Sequence, residues 1–233
     1  MKLNKLALIG STLLLAGNLA SATASADELE FSANVGMTTD YVWRGNSQTN
    51  NDMAVQGGFD ASYGMFYAGT WGSNVSFGAS EMEWDLYAGV SDTFAEDFTW
   101  DVGILGYKYP GDTQHDFTEL YAGVGYKWVS LYVYEQISDP GAASGDANRE
   151  GMTYWQLSGE VELMEGFGLN ASYGSTNYDL AGADDYEDWK IGITKTFGGF
   201  DFELAYTDTD SLTAANQSKL NEGHAMLMVS KSF

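Results

Sequence analysis

Carboxylates at alternate positions are the side chains of this sequence that are best placed to do chemistry. The chain has 233 residues, with 33 Asp and Glu against 10 Lys and Arg and a formal net charge of −23. Acids two residues apart, such as Glu83 and Asp85, point to the same face of an extended strand, and a face lined by acids attracts cations and repels anions. The residues predicted to line such a pore are Asp40, Arg44, Asp60, Glu83, Asp85, Asp101, Glu119, Glu160, Asp201 and Glu203.

Only two cations, Arg44 and Lys190, clearly oppose these acids from strand positions. The main hypothesis is therefore a lumen that conducts and prefers cations. The alternative is that the carboxylates form only a solvated inner wall, some of them paired with Arg44. The sequence leaves both interpretations open.

Metal and cofactor chemistry has weaker support in the sequence. Acidic runs at Asp184-Asp185, Glu187-Asp188, Asp208 and Asp210 could supply oxygen ligands to Ca²⁺, but no EF-hand spacing is present, so solvated acidic loops are the preferred interpretation. The chain has no Cys, which excludes disulfides and thiolate metal sites. No metal and no cofactor is predicted. The acidic balance also argues against nucleic acid as a partner.

Enzymatic activity is not predicted. A hydrolase would need a Ser or Thr nucleophile with a His base within reach. The sequence has two histidines, His115 in a predicted loop and His224 at the start of the last segment, and no G-x-S-x-G motif adjoins either.

The elements that must position these residues show a period of two. In the first segment, Leu29 to Trp43, apolar residues alternate with polar ones over a length unusual for a soluble strand. Twelve such segments follow one another, and no uninterrupted apolar run is long enough for a helical membrane span. All seven Trp fall on the apolar parity, as the aromatic girdles of a membrane barrel would require. The pattern predicts an all-β fold, an antiparallel transmembrane β-barrel of twelve strands, over a soluble β-sandwich.

Connection lengths support the same fold. Tight connections near Gly64, Gly166 and Gly198-Gly199 alternate with long polar ones. The long ones are Gly45 to Asp52, Phe77 to Glu81, Pro110 to Asp116, Ser138 to Gly151, Asn177 to Asp188 and Asp208 to Gly223. Short periplasmic turns and long extracellular loops are typical of outer-membrane barrels. The loop from Ser138 to Gly151 is the predicted candidate to plug the lumen.

The two ends of the chain indicate the compartment. Residues 1–26 have a basic start, an apolar stretch from Leu6 to Leu15 and the cleavage motif Ala24-Ser25-Ala26, which predicts a secretory signal peptide followed by one barrel domain at 27–233. The last segment alternates back from Phe233 and resembles the strand that outer-membrane proteins present to the barrel-assembly machinery. The predicted location is the bacterial outer membrane after Sec export, with lipid, lipopolysaccharide and small solutes as partners.

Several local stretches resemble the TorF-type family of outer-membrane porins. They are Thr39-Asp40-Tyr41-Val42-Trp43-Arg44-Gly45, Ala54-Val55-Gln56-Gly57-Gly58-Phe59-Asp60, Tyr67-Ala68-Gly69-Thr70-Trp71, Tyr107-Lys108-Tyr109-Pro110-Gly111 and Glu119-Leu120-Tyr121. The resemblance is good over residues 31–135 and looser elsewhere. It implies an outer-membrane location and a channel role, and it supports the location more than any solute.

Two functions follow as hypotheses. The first is a porin-like channel for passive diffusion of small cationic or neutral solutes through an acidic lumen. The alternative is a non-conducting structural or adhesive barrel that acts through its long loops.

Overall fold

The protein is an antiparallel β-barrel closed by twelve strands. The computed structural model describes residues 28–95, 97–138, 151–164, 166–179, 183–210 and 218–233. Its strands are β1 (Leu29–Thr38), β2 (Val42–Trp43), β3 (Asn46–Ser47), β4 (Ala54–Tyr63), β5 (Phe66–Phe77), β6 (Ser80–Phe94), β7 (Phe98–Lys108), β8 (Phe117–Tyr126), β9 (Val129–Ser138), β10 (Met152–Met164), β11 (Phe167–Tyr178), β12 (Tyr186–Phe197), β13 (Phe200–Asp210) and β14 (His224–Ser232). All except β2 and β3 belong to the barrel, which confirms the predicted fold class.

Each barrel strand pairs with its neighbours in the chain, and β1 closes the barrel against β14. The β1–β4 ladder contains ten residue pairs and the β1–β14 ladder five, from Asn34↔Ser232 to Thr38↔Met228. Backbone hydrogen bonds between Ala33 and Phe233 extend this seam at one end, with N···O distances of 3.2 and 2.9 Å. The described residues include no helix that is both long enough and apolar enough to cross a bilayer.

The alternation of the sequence separates two surfaces. Large apolar side chains point outward, for example Phe31, Phe59 and Leu204, which are 75%, 68% and 59% exposed. An apolar outer band of this kind suits contact with lipid. The opposite parity faces the interior, where strands that are not adjacent meet: Tyr67 on β5 donates a hydrogen bond to Asp101 on β7.

Strand β5 presents Tyr67 and Trp71 to the interior, so the prediction that all seven Trp face outward is wrong. The two-residue turn after β4 fixes the register, in which Trp71 pairs with Gly58 and Phe59 pairs with Thr70. Directly paired residues share a face, so outward Phe59 places Trp71 inside, where it is 4% exposed. Trp43 also lies inside, with its ring centroid 5.9 Å from that of Tyr107.

The connections differ in length at the two ends of the barrel. Five turns of two or three residues join the strands at one end, as at 64–65 and 127–128. The other end carries the longer connections 39–53, 109–116, 139–151, 179–185 and 211–223. The predicted long loop from Phe77 to Glu81 is wrong, because β5 and β6 are joined there by a two-residue turn, Gly78-Ala79.

Two predictions fall outside the described residues. The signal peptide at 1–26 lies wholly outside them, and so do residues 139–150 of the predicted plug. The loop after β1 enters the lumen: β1 ends at Thr38 instead of continuing to Trp43, and the segment that follows folds inward.

Candidate functional site

The loop after β1 forms a short hairpin inside the barrel. β2 and β3 pair, and Arg44 and Gly45 make the two-residue turn between them with φ of +47° and +76°. Such a turn needs positive φ at both central positions, as in type I′ hairpins. A Cβ atom on Gly45 would lie 2.3 Å from Cγ2 of Thr209. The hairpin tip therefore lies directly against the wall strand β13.

Arg44 forms a buried ion pair with the wall of the barrel. Its Nη1 and Nη2 atoms donate to Oε1 and Oε2 of Glu119 on β8 at 2.9 and 2.8 Å, and the two side chains are 2% and 0% exposed. The parallel two-bond geometry is the strong form of the arginine–carboxylate interaction. Tyr107 on β7 donates to the same carboxylate at 3.1 Å and fixes its orientation.

Aromatic rings surround the same guanidinium group. The Cζ atom of Arg44 is 4.2 Å from the ring centroids of Trp43 and Tyr154 and 5.2 Å from that of Tyr134. Each ring face attracts a cation within about 6 Å. Met152 completes the contacts, with its sulfur 3.7 Å from Nη1. We refer to Glu119, Tyr134, Met152 and Tyr154 as the cation cage; all four belong to the wall strands β8, β9 and β10.

Burial and charge act in opposite directions on Arg44. Burial lowers its pKa, whereas the charge of Glu119 and the hydrogen bonds to it raise the pKa, and the result is a pKa above the ordinary value for arginine. Burial also raises the pKa of Tyr41, and the nearby charge of Glu83 adds to this. At neutral pH the hairpin therefore brings a cation and a neutral phenol into the lumen.

Several backbone hydrogen bonds hold the loop in place. The N–H of Thr39 donates to the carbonyl of Leu227 at 3.0 Å, and the N–H of Ser47 donates to the carbonyl of Leu220 at 2.7 Å. The hydroxyl of Tyr186 donates to the carbonyl of Arg44 at 3.1 Å. The loop is thus bound to the β13–β14 side as well as to β12.

Asp40 organises the base of this loop. Its Oδ1 atom accepts hydrogen bonds from Ser47 and Thr49 at 2.6 and 2.9 Å, and Oδ2 lies 3.0 Å from Nε2 of His224. Asp40 and Arg44 were predicted to line the pore from a barrel strand. The structure places both on the loop instead, because the backbone leaves the ladder at Thr38.

Two further acids lie on β6 near the ion pair. Glu83 is 1% exposed and accepts hydrogen bonds from the hydroxyls of Tyr41 and Tyr109 at 2.7 and 2.8 Å. Asp85 is fully buried, and neither of its carboxylate oxygens has a hydrogen-bond partner among the described residues. Asp85 pairs across the ladder with Tyr107, which itself donates to Glu119. The interior here holds three buried carboxylates, of which Glu119 is bonded to the guanidinium.

Other acids of the interior accept hydrogen bonds from wall residues, most of which are tyrosines. Asp101 accepts from Tyr67 at 2.6 Å and from Tyr132 at 3.2 Å, and Asp60 accepts a hydrogen bond from Tyr87. On the β12–β13 side, Glu203 accepts from Lys190 and from Asn170, both at 2.9 Å. These pairs stand apart from the Arg44 site.

The two remaining predicted residues lie on β10 and β13. Glu160 is 9% exposed on β10. Asp201 is half-buried near a short turn and accepts a hydrogen bond from Thr196 at 2.6 Å. Sequence reasoning placed these acids on one lumen face, and it did not anticipate which of them the loop would neutralise.

Glycines explain how the interior tyrosines fit, and they are the signal that sequence analysis missed. A Cβ atom on Gly89 would lie 2.3 Å from the Tyr67 hydroxyl, and a Cβ on Gly103 would lie 2.3 Å from the Tyr121 hydroxyl. Each ring lies flat across the neighbouring strand, which only glycine permits. The alternation of tyrosine with glycine on paired strands could have identified these rings as interior.

A pocket of about 390 Å³ opens beside the cage at the long-loop end. Its lining is mainly aromatic with amide groups, and includes Trp43, Tyr109, Phe117, Gln48, Gln136 and Met152. Trp43 and Met152 touch both this pocket and Arg44. Within the part of the chain that the structure describes, no group of three His, Asp or Glu residues is arranged to hold a metal ion.

A closed twelve-stranded barrel with an apolar exterior and an acidic, tyrosine-rich interior has the architecture of the porin-like outer-membrane barrels. A family model matches residues 21–233, and the chain belongs to that family, Gcw_chp, described as bacterial proteins of unknown function. The description of this family does not mention TorF, so the TorF-type resemblance stays a prediction. No curated protein matches the sequence.

Solved structures support the fold. The KdgM porin is similar with a TM-score of 0.58 at 7% identity, over 87% of this chain and 99% of that one. A protein from work on the in-meso crystallization of membrane proteins gives 0.52 at 10% identity, over 87% and 83%. At these identities the likeness concerns the fold.

Proposed function

We propose that the protein is a porin-like channel of the bacterial outer membrane that passes small cationic or neutral solutes. The observation that carries the proposal is the charge of the barrel interior. Glu83, Asp85, Asp101 and Glu119 are all buried on the inner face, and among the described residues the buried cations are Arg44 on the loop and Lys190 on the wall. Acidic walls in a confined pore favour cations over anions.

The location is part of the same proposal. An apolar outer face, the barrel fold shared with the KdgM porin, the predicted signal peptide at 1–26 and the TorF-type resemblance all support insertion into the outer membrane after Sec export. The short turns then face the periplasm and the long loops face outward. Lipid and lipopolysaccharide contact the outer face, and the assembly machinery receives the strand that ends at Phe233.

Conductance in a planar bilayer tests the channel. We expect steady conductance in a KCl gradient, with a reversal potential that shows preference for K⁺. The double variant D60N/D101N should lose much of this preference, because it removes two charges from the lumen. The matched control D52N/E81Q removes two charges from exposed positions and should leave the preference unchanged. Equal loss in both variants would contradict the assignment of the lumen acids.

The loop folded inside the barrel favours a second candidate, a non-conducting structural barrel. The hairpin places Trp43 and Arg44 across the interior at the long-loop end, where Arg44 reaches β8 and β10. If neither the natural protein nor R44A conducts above the background of the bare bilayer, this second function replaces the channel.

A further inference from the structure

The surroundings of Arg44 have the composition of a binding site for a small planar cation. A bidentate carboxylate, two ring faces at 4.2 Å and a third at 5.2 Å contact one guanidinium group. Carboxylate and aromatic faces together are how proteins recognise guanidinium and alkylammonium groups. The occupant in this structure is a side chain of the protein itself.

The wall supplies nearly all of this site. Among the described groups that contact the guanidinium, Trp43 alone belongs to the loop; the cation cage belongs to β8, β9 and β10. The Tyr107 hydroxyl orients Glu119 at 3.1 Å, and the Tyr107 ring stacks on Phe117 with centroids 4.1 Å apart. These contacts that support Glu119 lie within the wall.

The charge balance favours a cation in the cage. Glu119 is 0% exposed, and a buried carboxylate without a counter-ion is strongly unfavourable. Asp85 lies nearby in the ladder with both carboxylate oxygens unpartnered among the described residues. Withdrawal of Arg44 would leave this group of acids without its cation, so an incoming cation would be attracted in its place.

A route to the cage exists from the long-loop end. The 390 Å³ pocket is large enough for a small solute. Trp43 and Met152 line that pocket and also contact Arg44. A solute that enters the pocket is therefore separated from the Arg44 guanidinium by these two side chains.

We propose that the cation cage is a binding site for small solutes that carry a guanidinium or alkylammonium group, and that Arg44 occupies it as a tethered competitor. This inference rests on the proposed function, since it names the class of cation that the channel accepts. A solute cation displaces Arg44 from Glu119, and the hairpin then leaves the lumen.

Equilibrium binding to the purified barrel in detergent tests the site. The probe is methylguanidinium, and methylurea is its uncharged counterpart of the same shape. We expect R44A to bind methylguanidinium at least tenfold more tightly than the natural protein does, and to show no such gain for methylurea. The double variant R44A/E119Q should lose the gain. Isothermal titration gives the affinities, and heat-modifiable migration confirms that each variant is folded.

Lys190→Ala provides the matched control. It removes another buried cation from a carboxylate, Glu203, at a place where no ring surrounds the ammonium group among the described residues. An equal gain in K190A would show that any uncovered carboxylate suffices and would overturn the cage. No gain in R44A, or a gain that survives E119Q, would overturn it as well.

A second measurement uses Arg44 in place. The chain has no Cys, so S47C gives a single buried thiol on the hairpin. Methylguanidinium should accelerate labelling of this thiol by a water-soluble maleimide, whereas methylurea should not; equal rates would contradict displacement. Binding does not depend on conductance. If the barrel conducts but does not bind the probe, only the proposed cation site is contradicted. If it binds the probe but does not conduct, only the proposed channel function is contradicted.

Discussion

Two buried cations inside this barrel form ion pairs of nearly the same length, but one lies on a loop and the other on a wall strand. Arg44 lies 2.8 Å from Glu119, and Lys190 lies 2.9 Å from Glu203. Lys190 belongs to β12 and its partner to the adjacent β13, so their pair joins neighbouring wall strands. Arg44 belongs to a hairpin that pairs with no barrel strand. The Lys190–Glu203 pair thus connects two strands of the wall, whereas the Arg44–Glu119 pair connects a loop to the wall.

The largest expected effect comes from removing the carboxylate beneath Arg44. Glu119→Gln leaves the guanidinium buried without a counter-ion, which costs about 3–5 kcal/mol. The hairpin relieves this cost by leaving the lumen. We expect the S47C thiol to become reactive and single-channel conductance to rise. D52C, on an exposed position of the same loop, should label at the same rate in both backgrounds. If the S47C thiol stays unreactive in E119Q, the Arg44–Glu119 pair does not hold the loop, and it would not differ in this respect from the Lys190–Glu203 pair.

The matching change on the wall should weaken the barrel without opening it. Lys190→Met deprives Glu203 of its charged partner but leaves the Asn170 amide, so we expect a loss of about 2 kcal/mol in the free energy of unfolding. Urea unfolding in detergent measures this. Labelling of S47C should stay slow, and a fast rate would show that the two regions are coupled.

A smaller effect is expected at the hairpin tip. Gly45→Ala places a methyl group 2.3 Å from Cγ2 of Thr209 at a φ of +76°, and positive φ alone costs an alanine about 1–2 kcal/mol. Gly64→Ala is the control, since Gly64 has φ of +58° and open space around it. Both variants should lose stability, but only G45A should speed S47C labelling. Equal labelling would mean that tip contact does not hold the loop.

The smallest effect concerns the most distant ring of the cage. Tyr134→Leu removes a ring 5.2 Å from Arg44 and should loosen the hairpin by about 0.5 kcal/mol. The rate of S47C labelling should rise about twofold. Tyr134→Phe keeps the ring face and should match the natural protein; if it behaves like the leucine variant, the hydroxyl and not the ring is responsible.

The barrel could be predicted from the sequence because alternation over long segments has few other physical solutions. The same alternation wrongly placed Trp71 on the outer face. An aromatic residue can lie either at the lipid interface or inside the barrel, packed over a glycine. The register across the Gly64-Met65 turn decides between the two faces, and the parity of a single segment does not contain that information.

The site was harder to predict because it depends on a departure from the ladder. The alternating pattern reaches Trp43 with Val42 as its exception, and these two residues do form strand, but in a separate hairpin. An arginine at positive φ before Gly45 is a weak turn signal, since Asn-Gly and Asp-Gly are the preferred pairs. The sequence pattern predicts that the acids share the inner face. It does not predict that Glu119 pairs with Arg44, because that pairing depends on where the loop runs inside the barrel.

The seam between β1 and β14 sets the order of events during folding. It joins residues about two hundred positions apart, from Asn34↔Ser232 onward, and such distant contacts form slowly. The hairpin follows β1 directly and needs carbonyls of Leu220 and Leu227 at the other side of the seam. It can reach its final position only after the last strand has arrived. A nascent barrel therefore passes through a stage in which Arg44 has not yet reached Glu119, and formation of this ion pair comes after closure of the seam.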